Sequence, residues 1–184
     1  MSTEVASGLV RWRVPLSWAL GLLALGLARP TPVSYAIGLG VAALGEGLRI
    51  WSAGHLVKGT GVTRSGPYAW TRNPLYLGST IMGVGFCVAA RSWVLLVLFA
   101  GLVLGVILPV VRTEATKLAE LHPQVYSEYA KAVPLFLPGL GPCREWLHER
   151  DFDWKRVRVN REHRAVLGWF GAALILGVKM FAVG

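Results

Sequence analysis

The chain has 184 residues and 20.0 kDa, the length of one ordinary domain, and 54% of it is hydrophobic against 16% charged. Water-soluble domains carry about 45–50% apolar and about 25% charged residues, so a mean hydropathy of +0.50 argues against a soluble globular enzyme and against disorder. The net charge of +9 has no soluble basic motif beneath it, which sets a nucleic-acid partner aside, and the two cysteines, Cys87 and Cys143, offer neither a disulfide framework nor metal-ligand spacing.

Crossing a hydrocarbon core of about 30 Å takes about 20 apolar residues in a helix. Taken along the chain, stretches 14–28, 33–53, 75–90, 93–111 and 165–183 approach that requirement. They predict an all-α polytopic membrane protein with about five transmembrane helices, folded as one integral-membrane domain over 1–184. The first stretch ends in Arg29-Pro30-Thr31-Pro32, a turn rather than a small-residue cleavage site, so it reads as a span and not a cleaved signal. Short turns after the first and third helices predict tight antiparallel pairs, one with two and three with four. Gly38, Ala42, Gly101 and Gly105 are the small residues expected to let backbones approach. Lys179 stands close enough to the end of the fifth helix to snorkel.

Charge gives the orientation. Arg11, Arg13, Lys58, Arg64, Arg72 and the ten Lys or Arg between Arg112 and Arg164 fall on one side of the five helices, fifteen of nineteen in all. Arg29, Arg91 and Lys179 fall on the other, and Arg49 lies within the second helix. Positive residues stay inside, so the N-terminus and both long loops, including 112–164, are expected in the cytoplasm. The lipid bilayer is the expected partner, in an inner or plasma membrane.

Polar residues crowd that same side. In the second helix Glu46 and Arg49 stand three apart on one face, either an internal ion pair or the wall of a polar site. Next come His55 and then Tyr68, followed by Arg72-Asn73-Pro74-Leu75-Tyr76. Pro74 suits the first position of the third helix, and the free N–H groups there favour an anion. Glu114 follows the fourth helix at the membrane edge. Pro123 restarts a short amphipathic helix with Tyr126 and Tyr129 on one side, and Asn160-Arg161-Glu162 precedes the fifth helix.

Together, Gly66-Pro67-Tyr68, Arg72-Asn73-Pro74-Leu75-Tyr76-Leu77-Gly78, Glu114 with Leu118, Tyr126-x-x-Tyr129 and Val133-Pro134 resemble the isoprenylcysteine carboxyl methyltransferase family in its short prokaryotic form. The resemblance runs from about Gly45 to Arg164. It implies methyl transfer from S-adenosylmethionine to a lipophilic acceptor, such as a prenylcysteine-type carboxylate, with the cofactor in a pocket at the cytoplasmic face. It implies that Glu114 meets the ribose hydroxyls or ammonium of the cofactor. His55, Tyr68, Asn73 and Tyr76 would line the cofactor pocket, with Tyr126 and Tyr129 in its cover. Arg72 or Arg161 would hold a carboxylate acceptor, while an amine or thiol would need a base such as Glu162, Glu46 or His55. Two positions depart from the family pattern: Asn73 stands where His is frequent, and Glu114-Ala115 where a Glu pair is frequent. Asparagine keeps a hydrogen bond but carries no proton. The rival readings are a nicotinamide-dependent reductase on the sterol-reductase scaffold and a non-catalytic membrane subunit or carrier.

Overall fold

The computed structural model describes residues 3–57, 59 and 61–183, without the side chains at 3–11, 13, 18 and 183. Lys58 and the side chains of Arg11 and Arg13, three of the fifteen same-side cations, lie outside the described residues. Eight α-helices and no strand occur among the described residues: α1 (Thr3–Leu27), α2 (Pro32–His55), α3 (Pro74–Ala89), α4 (Trp93–Leu121), α5 (Pro123–Ala132), α6 (Arg144–Leu147), α7 (Trp154–Val159) and α8 (His163–Val183). Three of them are long and apolar enough to cross a membrane: α2, α4 and α8 over His163–Ala182. Two shorter apolar helices, Val14–Leu27 within α1 and Pro74–Ala89, accompany them. The protein is an integral membrane protein on this composition.

Local chemistry sets the ends of the helices. Thr31 caps α2 by accepting from Ser34 N at 3.2 Å, while Thr31 N donates to Ser34 Oγ at 2.9 Å, and Pro32 occupies the first turn. At the far end of α2, three carbonyls that the helix itself leaves unpaired are met by side chains from α7 and its flanks. Asn160 Nδ2 donates to Ala53 O at 2.9 Å and Leu56 O at 3.1 Å, and Arg156 Nη1 donates to Gly54 O at 3.1 Å. Inside α4, residues Val103–Ile107 form a π turn immediately before Pro109. A proline ring clashes with the carbonyl four residues earlier in a regular helix, and the wider turn makes room for it. Lys179 reaches Leu25 O at the end of α1, where a cation complements the helix terminus.

The tightest pair is α2 with α3, not α1 with α2. A Cβ built on Gly45 would lie 2.4 Å from Met82 N, and one on Gly85 would lie 2.4 Å from Ala42 N. Gly38 meets Ala89 in the same way at 2.2 Å, so two backbones touch along a seam of small residues. Gly38 and Ala42 belong to that seam as expected; Gly101 and Gly105 do not, because both face open space on the outer side of α4. The two short turns meet at one end of the bundle, where Arg29 N donates to Ala90 O at 2.9 Å. Residues 61–73 of the loop after α2 and the segment after α4 gather at the opposite end. Helix α8 returns along α2, with Tyr35 donating to Ala173 O at 2.9 Å.

Candidate functional site

The polar end of the bundle is organised around the first turn of α3. Pro67 and Tyr68 lie in a short 3-10 turn, Gly66–Ala69, that Gly66 enters at φ +59, and a side chain there would strike the His55 ring at 2.6 Å. From that turn the chain runs antiparallel to the proline-rich stretch after α5. Arg72 N donates to Pro134 O at 2.9 Å, Asn73 Nδ2 to Leu135 O at 3.0 Å, and Thr71 Oγ1 to Phe136 O at 2.8 Å. Gly139 N donates to Trp70 O at 3.0 Å and Cys143 N to Ala69 O at 2.9 Å, which completes the zipper. Asn73 therefore spends its amide on fixing the strap rather than on capping α3.

Four of the sequence-selected residues form two pairs on this frame. Tyr76 Oη donates to Glu114 Oε1 at 2.7 Å, tying α3 to α4 across the extension that α4 makes beyond its apolar stretch. Arg72 donates from Nη1 to Tyr126 Oη at 2.9 Å, and its guanidinium carbon lies 5.5 Å from the centre of that ring. Its Nε is buried with no hydrogen-bond partner among the described residues. Tyr129 is buried, donates to Tyr68 O at 2.8 Å and packs edge-on against Tyr126 and Trp146 at 6.1 and 5.6 Å.

Tyr68 links this group to a second one. Burial pushes its phenol above the ordinary range near 10, the Glu162 carboxylate adds to the shift, Arg49 opposes it, and Glu114 adds again. Tyr129 is raised for the same first cause, loss of water. The second group is an ion pair between α2 and the turn before α8, far apart in the chain. Arg49 Nη2 donates to both oxygens of Glu162 at 3.0 and 2.8 Å, and Nη1 reaches Leu75 O at 3.5 Å and Ser79 Oγ on α3. Glu46 stands only at the edge of this pair, with Oε2 3.7 Å from Arg49 Nε.

Three sequence-selected residues stand elsewhere. His55 is buried against Ser65, 3.2 Å from its Oγ, between the Trp51 and Phe152 rings. Glu162 faces Arg49. Arg161 occupies the turn before α8 with φ 61 and an exposed side chain. The pairing of Arg49 with Glu162 across 113 residues carried no local signal in the sequence. Ser79 and Thr71 were equally silent. Each is a single hydroxyl whose partner lies on another segment.

The groups at this end fit a zwitterionic, hydroxyl-bearing ligand: a carboxylate held by Tyr76, a guanidinium whose buried Nε–H has no partner among the described residues, and buried aromatic faces. Two recesses are lined by other residues. One of about 500 Å³ is lined by Arg64, Cys143, Trp146 and three glutamates, and one of about 360 Å³ lies between α2 and α8. Among the described residues no group of three or more His, Cys, Asp or Glu is placed to hold a metal ion.

Comparison with known proteins bears on this end of the molecule. No solved structure is significantly similar to the chain. A curated relative, the cobalt-zinc-cadmium resistance protein CzcN of Cupriavidus metallidurans, is 30% identical over 141 residues, which cover 72% of this chain and 64% of the relative. The chain thus spans somewhat less than two thirds of that protein. Residues 33–124, half of the chain, match the phospholipid methyltransferase family, and that stretch holds Arg49, Arg72, Tyr76 and Glu114. The chain belongs to the phospholipid methyltransferase family, a family of membrane methyltransferases.

Proposed function

We propose that the chain transfers a methyl group from S-adenosylmethionine to a lipophilic acceptor at the membrane face that carries Arg72 and Glu114. Tyr76 donating to Glu114 at 2.7 Å within the family-matched stretch carries this reading, because it fixes a carboxylate at the first turn of α3, the turn that Arg72 precedes. Five membrane crossings, with the N-terminus and the long loops in the cytoplasm, complete the proposal. Three crossings are α2, α4 and α8; the shorter α1 and α3 are the other two, held by the seam with α2 and by contact with α4.

Bound S-adenosylmethionine supplies a methyl already activated on a sulfonium, so the protein's work is alignment and exclusion of water. Glu114 accepts hydrogen bonds from the ribose hydroxyls or the ammonium, in an orientation set by Tyr76. Tyr126 and Tyr129 form the cover, with Tyr68 and Asn73 holding the strap beneath it. Arg72 steadies the acceptor when that group is a carboxylate, which is ionised at neutral pH and needs no base. Glu162 is spent on Arg49, so its part is to position the start of α8, and His55 supports the loop at Gly66. Arg161 lies at the membrane edge, where it meets an anionic acceptor as it approaches.

The test is transfer of label. Purified protein incubated with methyl-labelled S-adenosylmethionine and a total lipid extract is expected to move label into the organic phase, and Arg72→Ala to reduce the rate at least tenfold. Folded protein that moves no label into any lipid fraction contradicts the proposal.

A further inference from the structure

The smaller recess differs in kind from the polar cluster. Its walls are Ile50 of α2, Val157 of α7, and Val166 and Leu167 of α8, and they present almost no polar surface. Trp154 flanks it, and Arg158 and His163 stand at its rim. It sits where two of the three membrane-length helices end together, a position held by the Arg49–Glu162 pair and by Asn160 on Ala53 O. Around it the surface is both apolar and strongly basic. Trp154 and Leu167 are each 68% exposed, while Lys155, Arg158, Arg161 and Arg164 are exposed cations with no ion-pair partner among the described residues. Two acids of this region are engaged: Glu162 with Arg49, and Asp153 with Arg156 and the backbone of Lys155.

An occupant of this groove must therefore carry a hydrocarbon chain and a negative charge. A peptide fits poorly, because its backbone N–H and C=O groups would find no partner on such walls. A bilayer lipid fits both requirements. We propose that this groove binds one anionic phospholipid of the surrounding membrane, with an acyl chain along Ile50, Val157, Val166 and Leu167 and its phosphate held by Arg158 and His163. The lipid is a fixed component of the site rather than the methyl acceptor. It clamps α7 against the joined ends of α2 and α8, beside the Arg49–Glu162 pair, and it does so whatever the chain methylates.

The probe is dioleoyl-phosphatidylglycerol added to the full chain in a neutral detergent, with bound lipids counted by native mass spectrometry. Dioleoyl-phosphatidylcholine and glycerol phosphate serve as the comparisons. One phosphatidylglycerol is expected to bind at least tenfold more tightly than phosphatidylcholine, and glycerol phosphate, lacking the chain, to leave it in place. Arg158→Gln, an exposed change, is expected to weaken that binding about fivefold, and Arg144→Gln on α6 to leave it unchanged. Leu167→Trp, which fills the groove, is expected to abolish the single tight site while helicity by circular dichroism is retained. Equal binding of the two lipids, displacement by glycerol phosphate, or equal losses from Arg158→Gln and Arg144→Gln would each overturn the proposal.

Discussion

Arg49 is the residue on which the polar end depends most. Its guanidinium is shared among Glu162, Ser79 and the Leu75 carbonyl, so it joins α2, α3 and the turn before α8 at one point. Removing one member of a buried pair leaves the other uncompensated, at a cost of about 3–5 kcal/mol. Arg49→Gln is accordingly expected to lower the thermal midpoint in detergent sharply, and the double change with Glu162→Gln to recover part of the loss. Equal midpoints for Arg49→Gln and the unaltered chain would show that the pair holds nothing. Tyr68 makes a pH-dependent contribution. Its proton is held more tightly in the folded state than at the ordinary value of 10.0, first because the phenol is buried. Its stabilising effect is complete below pH 10 and is lost as pH rises from there toward the raised folded value. Thermal midpoints measured between pH 9 and 11 are expected to fall less steeply for Tyr68→Phe than for the unaltered chain.

At the scale of elements, the helices were largely legible because each is a long apolar run closed by punctuation. Thr31-Pro32 and Asn73-Pro74 stand at observed helix starts, and expected and observed ends agree within a few residues except where α1 and α4 extend into polar sequence. The partners of the helices were less legible. Short turns suggested α1 against α2, but the glycines that match each other across space are those of α2 and α3, and a pattern on one helix does not name its mate. Packing there makes a sharp prediction. Alanine in a helix interior normally gains about 0.5–1 kcal/mol over glycine, and Gly101→Ala and Gly105→Ala, facing open space, should show that gain. Gly45→Ala and Gly85→Ala force a methyl group to within 2.4 Å of a neighbouring backbone and should lower the thermal midpoint instead. A common direction of change at all four positions would contradict the seam.

For the molecule as a whole, a bundle of apolar helices has one plain end, where the turns at Arg29 and Arg91 meet, and one elaborate end. The elaborate end is built by a strap, 133–146, zipped to residues 69–73 through backbone carbonyls that the prolines of the strap leave without a regular partner. The resemblance carried by residues 66–78, Glu114 and the two tyrosines pointed to a membrane methyltransferase, and the family match over 33–124 agrees with it. Arg72, Tyr76, Glu114 and Tyr126 stood out through the motifs that carry the resemblance, and the structure pairs Tyr76 with Glu114 and Arg72 with Tyr126. The closure of Glu162 on Arg49 and the burial of His55 under Gly66 were not legible, since both depend on contacts made only after α8 and the loop fold back. The most direct test of the central claim is calorimetric titration of the detergent-purified chain with S-adenosylhomocysteine, alongside Glu114→Gln. Saturable binding, weakened at least tenfold by a substitution that removes one charge and leaves helicity intact, is the expected result. A folded chain that binds nothing, or that binds equally well with Glu114→Gln, would contradict the account.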